Sequence, residues 1–140
     1  MPGGYRELPD ITADLGIEAW GSGLEEAFSS TIRGLATLMS DVPASRHPLV
    51  RHIHIESASL ESLLVQLLNE IVFLEETENF LPGEVAALSI RGSSVDVSIE
   101  GDTFNPEIHN IGAHIKAATY HGLKILEEGN TFRIRVIFDV

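Results

Sequence analysis

From Leu24 to Met39, and again from Leu60 to Ile71, apolar residues return every three or four positions. That spacing fixes two amphipathic helices in a chain whose remaining apolar segments alternate with a period of two. In the first, Leu24, Ala27, Phe28, Ile32, Leu35 and Met39 share a face. In the second, Leu60, Leu63, Leu64, Leu67, Leu68 and Ile71 do, with Glu61, Gln66, Asn69 and Glu70 on the polar side. Ser22 followed by Glu25 predicts a capping box for the first helix, and Ser57 or Ser59 predicts the cap of the second. Pro43 and Pro48 put a loop after the first helix.

The other segments read as strands. Ile53 and Ile55 alternate with His52, His54 and Glu56. Ala86, Leu88 and Ile90 alternate up to Gly92-Ser93, and Val95, Val97 and Ile99 follow, which predicts a hairpin. Ile17-Glu18-Ala19-Trp20 is a strand near the N-terminus. At the other end, Phe132, Ile134, Val136 and Phe138 form one face, opposite Arg133, Arg135 and Ile137, after a Gly129-Asn130 turn. Between Lys116 and Ile125, Ala117-Ala118 permits a helix and Thr119-Tyr120 favours a strand; we read a strand paired with the last one. Helices and strands do not alternate in βαβ fashion. The expected class is α+β: one domain over residues 1–140, with two helices packed on a mixed, largely antiparallel sheet.

A chain of 140 residues buries roughly two thirds of its unfolded surface, enough for a core without staples. There are no cysteines, which excludes disulfides and thiolate metal sites and suits a reducing cytoplasm. The N-terminal residues do not form a signal peptide, and no apolar run reaches bilayer length, so a soluble cytoplasmic protein without membrane contact is expected. The net charge is −12, from nine Lys and Arg against 21 Asp and Glu. Phosphate backbones bind through Lys and Arg, so direct nucleic-acid binding is not expected. Between Arg51 and Arg91 there is no Lys or Arg, while Glu56, Glu61, Glu70, Glu75, Glu76, Glu78 and Glu84 all fall there. That run reads either as a solvated face or as a docking surface for a basic partner or a cation.

Phosphate-cradling glycine loops and the Gly-x-Ser-x-Gly elbow are absent from the sequence. His52 and His54, two apart on a strand, read as surface residues; His109, His114 and His121 are scattered, and no His-x-x-x-His helix supports zinc. What remains is carboxylates. Asp14 follows the turn-like Pro9-Asp10-Ile11-Thr12-Ala13, and Asp139 stands beside the terminal carboxylate of Val140. Spacing leaves two readings open: Asp14 caps a turn and Asp139 is merely terminal, or the three carboxylates share a hard cation such as Ca²⁺, Mg²⁺ or Mn²⁺.

The ordered set of motifs resembles the archease family from about Tyr5 to the last residue. Thr12-Ala13-Asp14-Leu15-Gly16, the helix Leu63 to Glu70, Phe73 to Glu78, Lys116-Ala117-Ala118-Thr119-Tyr120-His121 and Phe138-Asp139-Val140 carry the likeness. The chain departs from the usual pattern at Ile11, where many members have His, at Leu67, where Trp is frequent, and at Glu76, where Asp is usual. The resemblance implies a non-catalytic cofactor that promotes guanylylation and multiple turnover of RtcB, the RNA ligase of tRNA splicing and RNA repair. It also implies that Asp14, Asp139 and the terminal Val140 hold a divalent ion, commonly calcium, and that the two chain ends converge. A stand-alone metal-dependent hydrolase and a chaperone-like partner of a tRNA-modifying enzyme are the alternatives. Lys116 is a secondary candidate, as a cation able to reach a phosphate.

Overall fold

A computed structural model of the chain describes residues 3–9, 14–41 and 48–140. Residues 10–13, with the Thr12-Ala13 part of the N-terminal motif, and the loop predicted at Pro43 lie outside them. Along the chain run β1 (Gly4–Glu7), β2 (Leu15–Gly21), α1 (Leu24–Met39), β3 (Leu49–Glu56), α2 (Leu60–Glu78), β4 (Phe80–Arg91), β5 (Ser94–Thr103), β6 (Ala117–Glu128) and β7 (Thr131–Asp139). The class is α+β, as expected, and every strand pairing described is antiparallel. The strands divide into two sheets, ordered β1-β2-β7-β6 and β3-β5-β4.

Both helices pack on both sheets. Helix α1 touches β1, β2 and β7 of the larger sheet and β4 of the smaller; α2 touches β6 of the larger and all three strands of the smaller. The apolar faces read from the spacing are the buried ones, with Phe28, Ile32, Leu35, Leu63, Leu64, Leu67, Leu68 and Ile71 at most 1% exposed. In α2 the stripe is wider than predicted, because Val65 and Val72 are buried as well. A helix lodged against two sheets needs an apolar surface broader than one against a single layer. Burial of each large side chain contributes ~1.5–3 kcal/mol.

The caps divide. Ser59 caps α2 in a reciprocal box with Ser62. Helix α1 starts differently from the Ser22–Glu25 box: Gly23 is its N-cap and makes no side-chain cap bond. Glu26 reaches back instead, accepting from the Ser22 N–H at 2.8 Å. Glu25 accepts from the Ile90 N–H of β4 at 2.9 Å, tying the helix to the smaller sheet. Local spacing proposes a cap, and here a tertiary donor takes the carboxylate.

The β4–β5 hairpin turns at Gly92, whose φ of 59° favours glycine. The predicted in-phase run Ala86, Leu88, Ile90 does not hold at its first member. Register shifts between Pro82 and Glu84 and between Val85 and Ala87 leave Ala86 exposed and turn Val85 to the core. The extra residues of a bulge reset the alternation. Beside it, Gly101 of β5 lies where a Cβ would stand 2.1 Å from the Leu81 carbonyl oxygen, a space only glycine leaves open. The ambiguous stretch from Lys116 is strand β6, paired with β7.

Candidate functional site

The two strands that carry the candidate carboxylates are neighbours. β2 and β7 pair from Gly21↔Phe132 to Leu15↔Phe138, so Asp14 and Asp139 stand one step beyond the last pair, at the same end of the sheet. On its other side Asp139 is opposite Ala117 of β6, and the Lys116 N–H donates to the Asp139 carbonyl at 2.9 Å. Asp14 is half-buried in a bend before β2, and Asp139 is exposed. Val140 is 42% exposed. Strand alternation sets Asp139 on the face opposite the fully buried Phe138, away from the helices. Among the described residues, no three His, Asp or Glu side chains gather at a spacing that would hold an ion. The pairing thus brings two side-chain carboxylates, Asp14 and Asp139, to one end of the larger sheet.

That outward face of the larger sheet is not acidic. The registers line up Arg6, Glu18, Arg135 and Lys124 in one row across the four strands, and Gly4, Trp20, Arg133 and Leu126 in the next. Glu18 accepts from Arg6 Nε at 3.3 Å and from Arg133 Nη1 at 3.0 Å, and Glu128 accepts from Arg133 Nε at 2.9 Å.

The glutamates of the Arg51–Arg91 run spread over β3, α2 and β4. Glu56, Glu61, Glu76, Glu78 and Glu84 are exposed, and Glu70 and Glu75 are half-buried. Arg51 Nε donates to Glu78 at 2.9 Å. Burial pushes the Glu75 carboxyl above its ordinary range, opposed by nearby His114 and reinforced by Glu76. The run is an exposed face for the most part, without a convergent cluster.

His52 and His54 point outward from β3, as the alternation predicts. His52 Nδ1 is 2.7 Å from Ser98 Oγ, and His54 Nδ1 is 2.7 Å from Asp96 Oδ1. Hydrogen bonding to Asp96, with its charge and with Glu56 beyond, raises the His54 pKa above its ordinary value. Sequence reasoning missed His109, which is 4% exposed. Its Nδ1 accepts the Asn105 N–H at 2.8 Å, so the ring proton sits on Nε2 and faces Asp102 Oδ2 at 3.1 Å. The Asn105-Pro106 turn four residues earlier is the signal that could have found it.

Fold and site define a class: a small α+β domain, two helices on two antiparallel sheets, whose larger sheet ends in a pair of aspartates. The Archease protein family (MTH1598/TM1083) model matches residues 5–140, and the chain belongs to the archease family. The protein archease of Thermococcus kodakarensis is 34% identical over 117 residues, covering 81% of this chain and 82% of the relative. That of Sulfolobus acidocaldarius is 29% identical over 135 residues, covering 96% and 97%. The solution structure of Methanobacterium thermoautotrophicum protein 1598 superposes with a TM-score of 0.76 at 27% identity, covering 99% of both chains. The crystal structure of a Thermotoga maritima protein described as an archease and possible chaperone has a TM-score of 0.65 at 21% identity, covering 96% and 97%, a likeness of fold.

Proposed function

We propose that this chain is a metal-binding activator of the RNA-splicing ligase RtcB in the cytoplasm, raising guanylylation and turnover of the ligase without catalysing a step itself. Asp14, Asp139 and the carboxylate of Val140 would hold the ion: Ca²⁺ first, with Mg²⁺ or Mn²⁺ also suited to such oxygens. The observation that carries the reading is the β2–β7 register, in which Leu15 faces Phe138 and the two aspartates follow at one sheet end. The residues fit a hard cation. Each donor is a carboxylate oxygen, and two or three carboxylates at one strand end repel one another until a cation neutralises them. Calcium takes 6–8 oxygens in a tolerant geometry, which leaves positions for water or a partner's groups. When bound, the ion supplies positive charge to which phosphate oxygens can bind. Asp139 and Val140 are exposed, which leaves that end open to a docking ligase.

Direct RNA binding is not part of the reading. Of the cations on the outward sheet face, Arg6 and Arg133 are already paired with Glu18, and the net charge of −12 opposes a polyanion at long range. Among the described residues no helix is long and apolar enough to cross a membrane.

Two measurements test the proposal. Calorimetric titration of Ca²⁺ or Mn²⁺ should show binding by the wild type and its loss in Asp14→Ala, and a peptide extension beyond Val140 should weaken it. A guanylylation assay with purified ligase should show stimulation by catalytic amounts of this chain and no turnover by the chain alone. Turnover without ligase would favour the hydrolase alternative. Stabilisation of a tRNA-modifying enzyme, with no effect on the ligase, would favour the chaperone alternative.

A further inference from the structure

The carboxylate end of the larger sheet depends on a short run of pairing. β6 meets the last residues of β7 through Ala117↔Asp139, Ala118↔Phe138 and Thr119↔Ile137 only, and the register then shifts before Lys124↔Arg135. Three pairs, cut off from the rest of the ladder by an irregular stretch in which residues 120–123 stand against Val136 alone, hold the strand that lies beside Asp139. Among the described residues β6 is also an edge strand, with no neighbouring strand for its outer backbone groups.

Asn69 of α2 fills that vacancy at one position. Its Oδ1 accepts the Ala118 N–H at 2.7 Å, and its Nδ2 donates to the Ala118 carbonyl at 3.3 Å. One side-chain amide thus meets both backbone groups of one residue, as a neighbouring strand would. The chemistry is specific. A carboxylate could accept from the N–H but would repel the carbonyl, and an apolar group of equal size would leave a part-buried N–H unpaired. Two residues upstream, the Lys116 N–H holds the Asp139 carbonyl at 2.9 Å, and the Thr119 hydroxyl donates to the Ile137 carbonyl at 2.9 Å on the same stretch.

We propose that Asn69 is a positioning residue for the carboxylate end: by clamping Ala118 it locks Lys116–Thr119 against the end of β7 and so fixes where Asp139 and Val140 stand relative to Asp14. This rests on the reading of those carboxylates as ion ligands. The amide acts through the backbone, touching neither ion nor partner, from a helix whose own place is set by the core.

Asn69→Asp and Asn69→Leu test it, measured with the full chain. Amide hydrogen exchange at Lys116 and Ala118 should quicken by about tenfold or more, while Ile134 in the middle of β7 keeps its wild-type rate. Affinity for Mn²⁺ alone should fall by roughly 10- to 100-fold, as when a group that orients a ligand is lost. The amount of protein giving half-maximal ligase stimulation should rise. Asn69→Gln, which keeps donor and acceptor, should recover part of the affinity and stands in if the other two do not fold. Leu64→Ala, destabilised but with the clamp intact, should bind Mn²⁺ like wild type at equal folded fraction. Wild-type exchange at Lys116, or wild-type Mn²⁺ affinity, in the Asn69 variants overturns the proposal. Asp139→Ala run in parallel separates the two ideas. If it loses Mn²⁺ while Asn69→Asp does not, the positioning role alone is wrong; if it keeps Mn²⁺, the ion site and the positioning role fall together.

Discussion

Asp139→Ala separates the proposed site from the scaffold that carries it. The side chain is exposed at the last residue of β7, beside the fully buried Phe138, so its truncation empties no cavity. The bond from the Lys116 N–H goes to the Asp139 backbone carbonyl and survives the change. A stability effect within ~0.5 kcal/mol follows. The effect on the ion is of another order. One of two side-chain carboxylates is lost, which should weaken binding by more than the roughly 10- to 100-fold seen when a merely supporting group is removed. Leu64→Ala is the converse perturbation: the side chain is 0% exposed inside α2, and its removal should cost ~2–5 kcal/mol. That corresponds to a fall in Tm on the order of 10 °C for a domain of this size. The assay is ligase guanylylation with wild type, each variant and no added protein, at a temperature where circular dichroism shows all three folded. Leu64→Ala should stimulate like wild type, and Asp139→Ala should not. Equal stimulation by Asp139→Ala and wild type would refute the metal-dependent mechanism. No stimulation by wild type, with a compatible ligase, would refute the activator reading.

Three further outcomes are expected. Gly101→Ala should destabilise by ~2 kcal/mol or more, because its Cβ meets the Leu81 carbonyl at 2.1 Å; an unchanged denaturation midpoint would show that β4 and β5 can part at no cost. Asp96→Asn should lower the His54 midpoint in an NMR titration, since Asp96 is the main cause of its rise. Because the folded value is the higher one, the His54–Asp96 pairing stabilises the fold below the ordinary histidine pKa, ~6.5. That contribution disappears as pH rises through the folded value, and a midpoint unmoved by Asp96→Asn would remove the cause. Glu75→Gln should raise Tm at neutral pH, where the half-buried carboxylate is ionised at a desolvation cost, and should gain nothing at low pH.

The two helix faces, the C-terminal strand and the hairpin turn at Gly92 were legible because each is a local pattern of spacing or turn chemistry. The caps were half legible. Ser59 needs only its own helix, whereas Glu25 was drawn away by the Ile90 amide of a distant strand. The phase of β4 was not readable across two register shifts, and β1 passed unnoticed because four residues with one aromatic carry no period. At the site, spacing left Asp14 and Asp139 open between a turn cap with a terminal residue and a shared cation, and only the family resemblance implied that they meet. Spacing could not bring them together, because that depends on which strands pair and in what register. Asn69 shows the same limit: on the sequence it is one polar residue on a helix face, and only the position of Ala118 gives it a role.

The cations on the outward face of the larger sheet have a consequence for how the molecule meets others. Arg6, Lys124, Arg133 and Arg135, four of its nine Lys and Arg residues, share one face with Glu18, Glu128 and Asp139 and leave it slightly positive, while the stretch from β3 through α2 to β4 carries seven glutamates without a Lys or Arg between Arg51 and Arg91. A body with its charge divided in this way has a permanent electric moment. In the field of a large charged partner it turns before it touches, and encounters begin from a preferred side. The turning is strongest where the Debye length exceeds the gap between the surfaces, about 10 Å at 0.1 M salt, and fades as salt is added. Capture of this protein should therefore slow with ionic strength through its association rate, while the complex, once formed, keeps its lifetime.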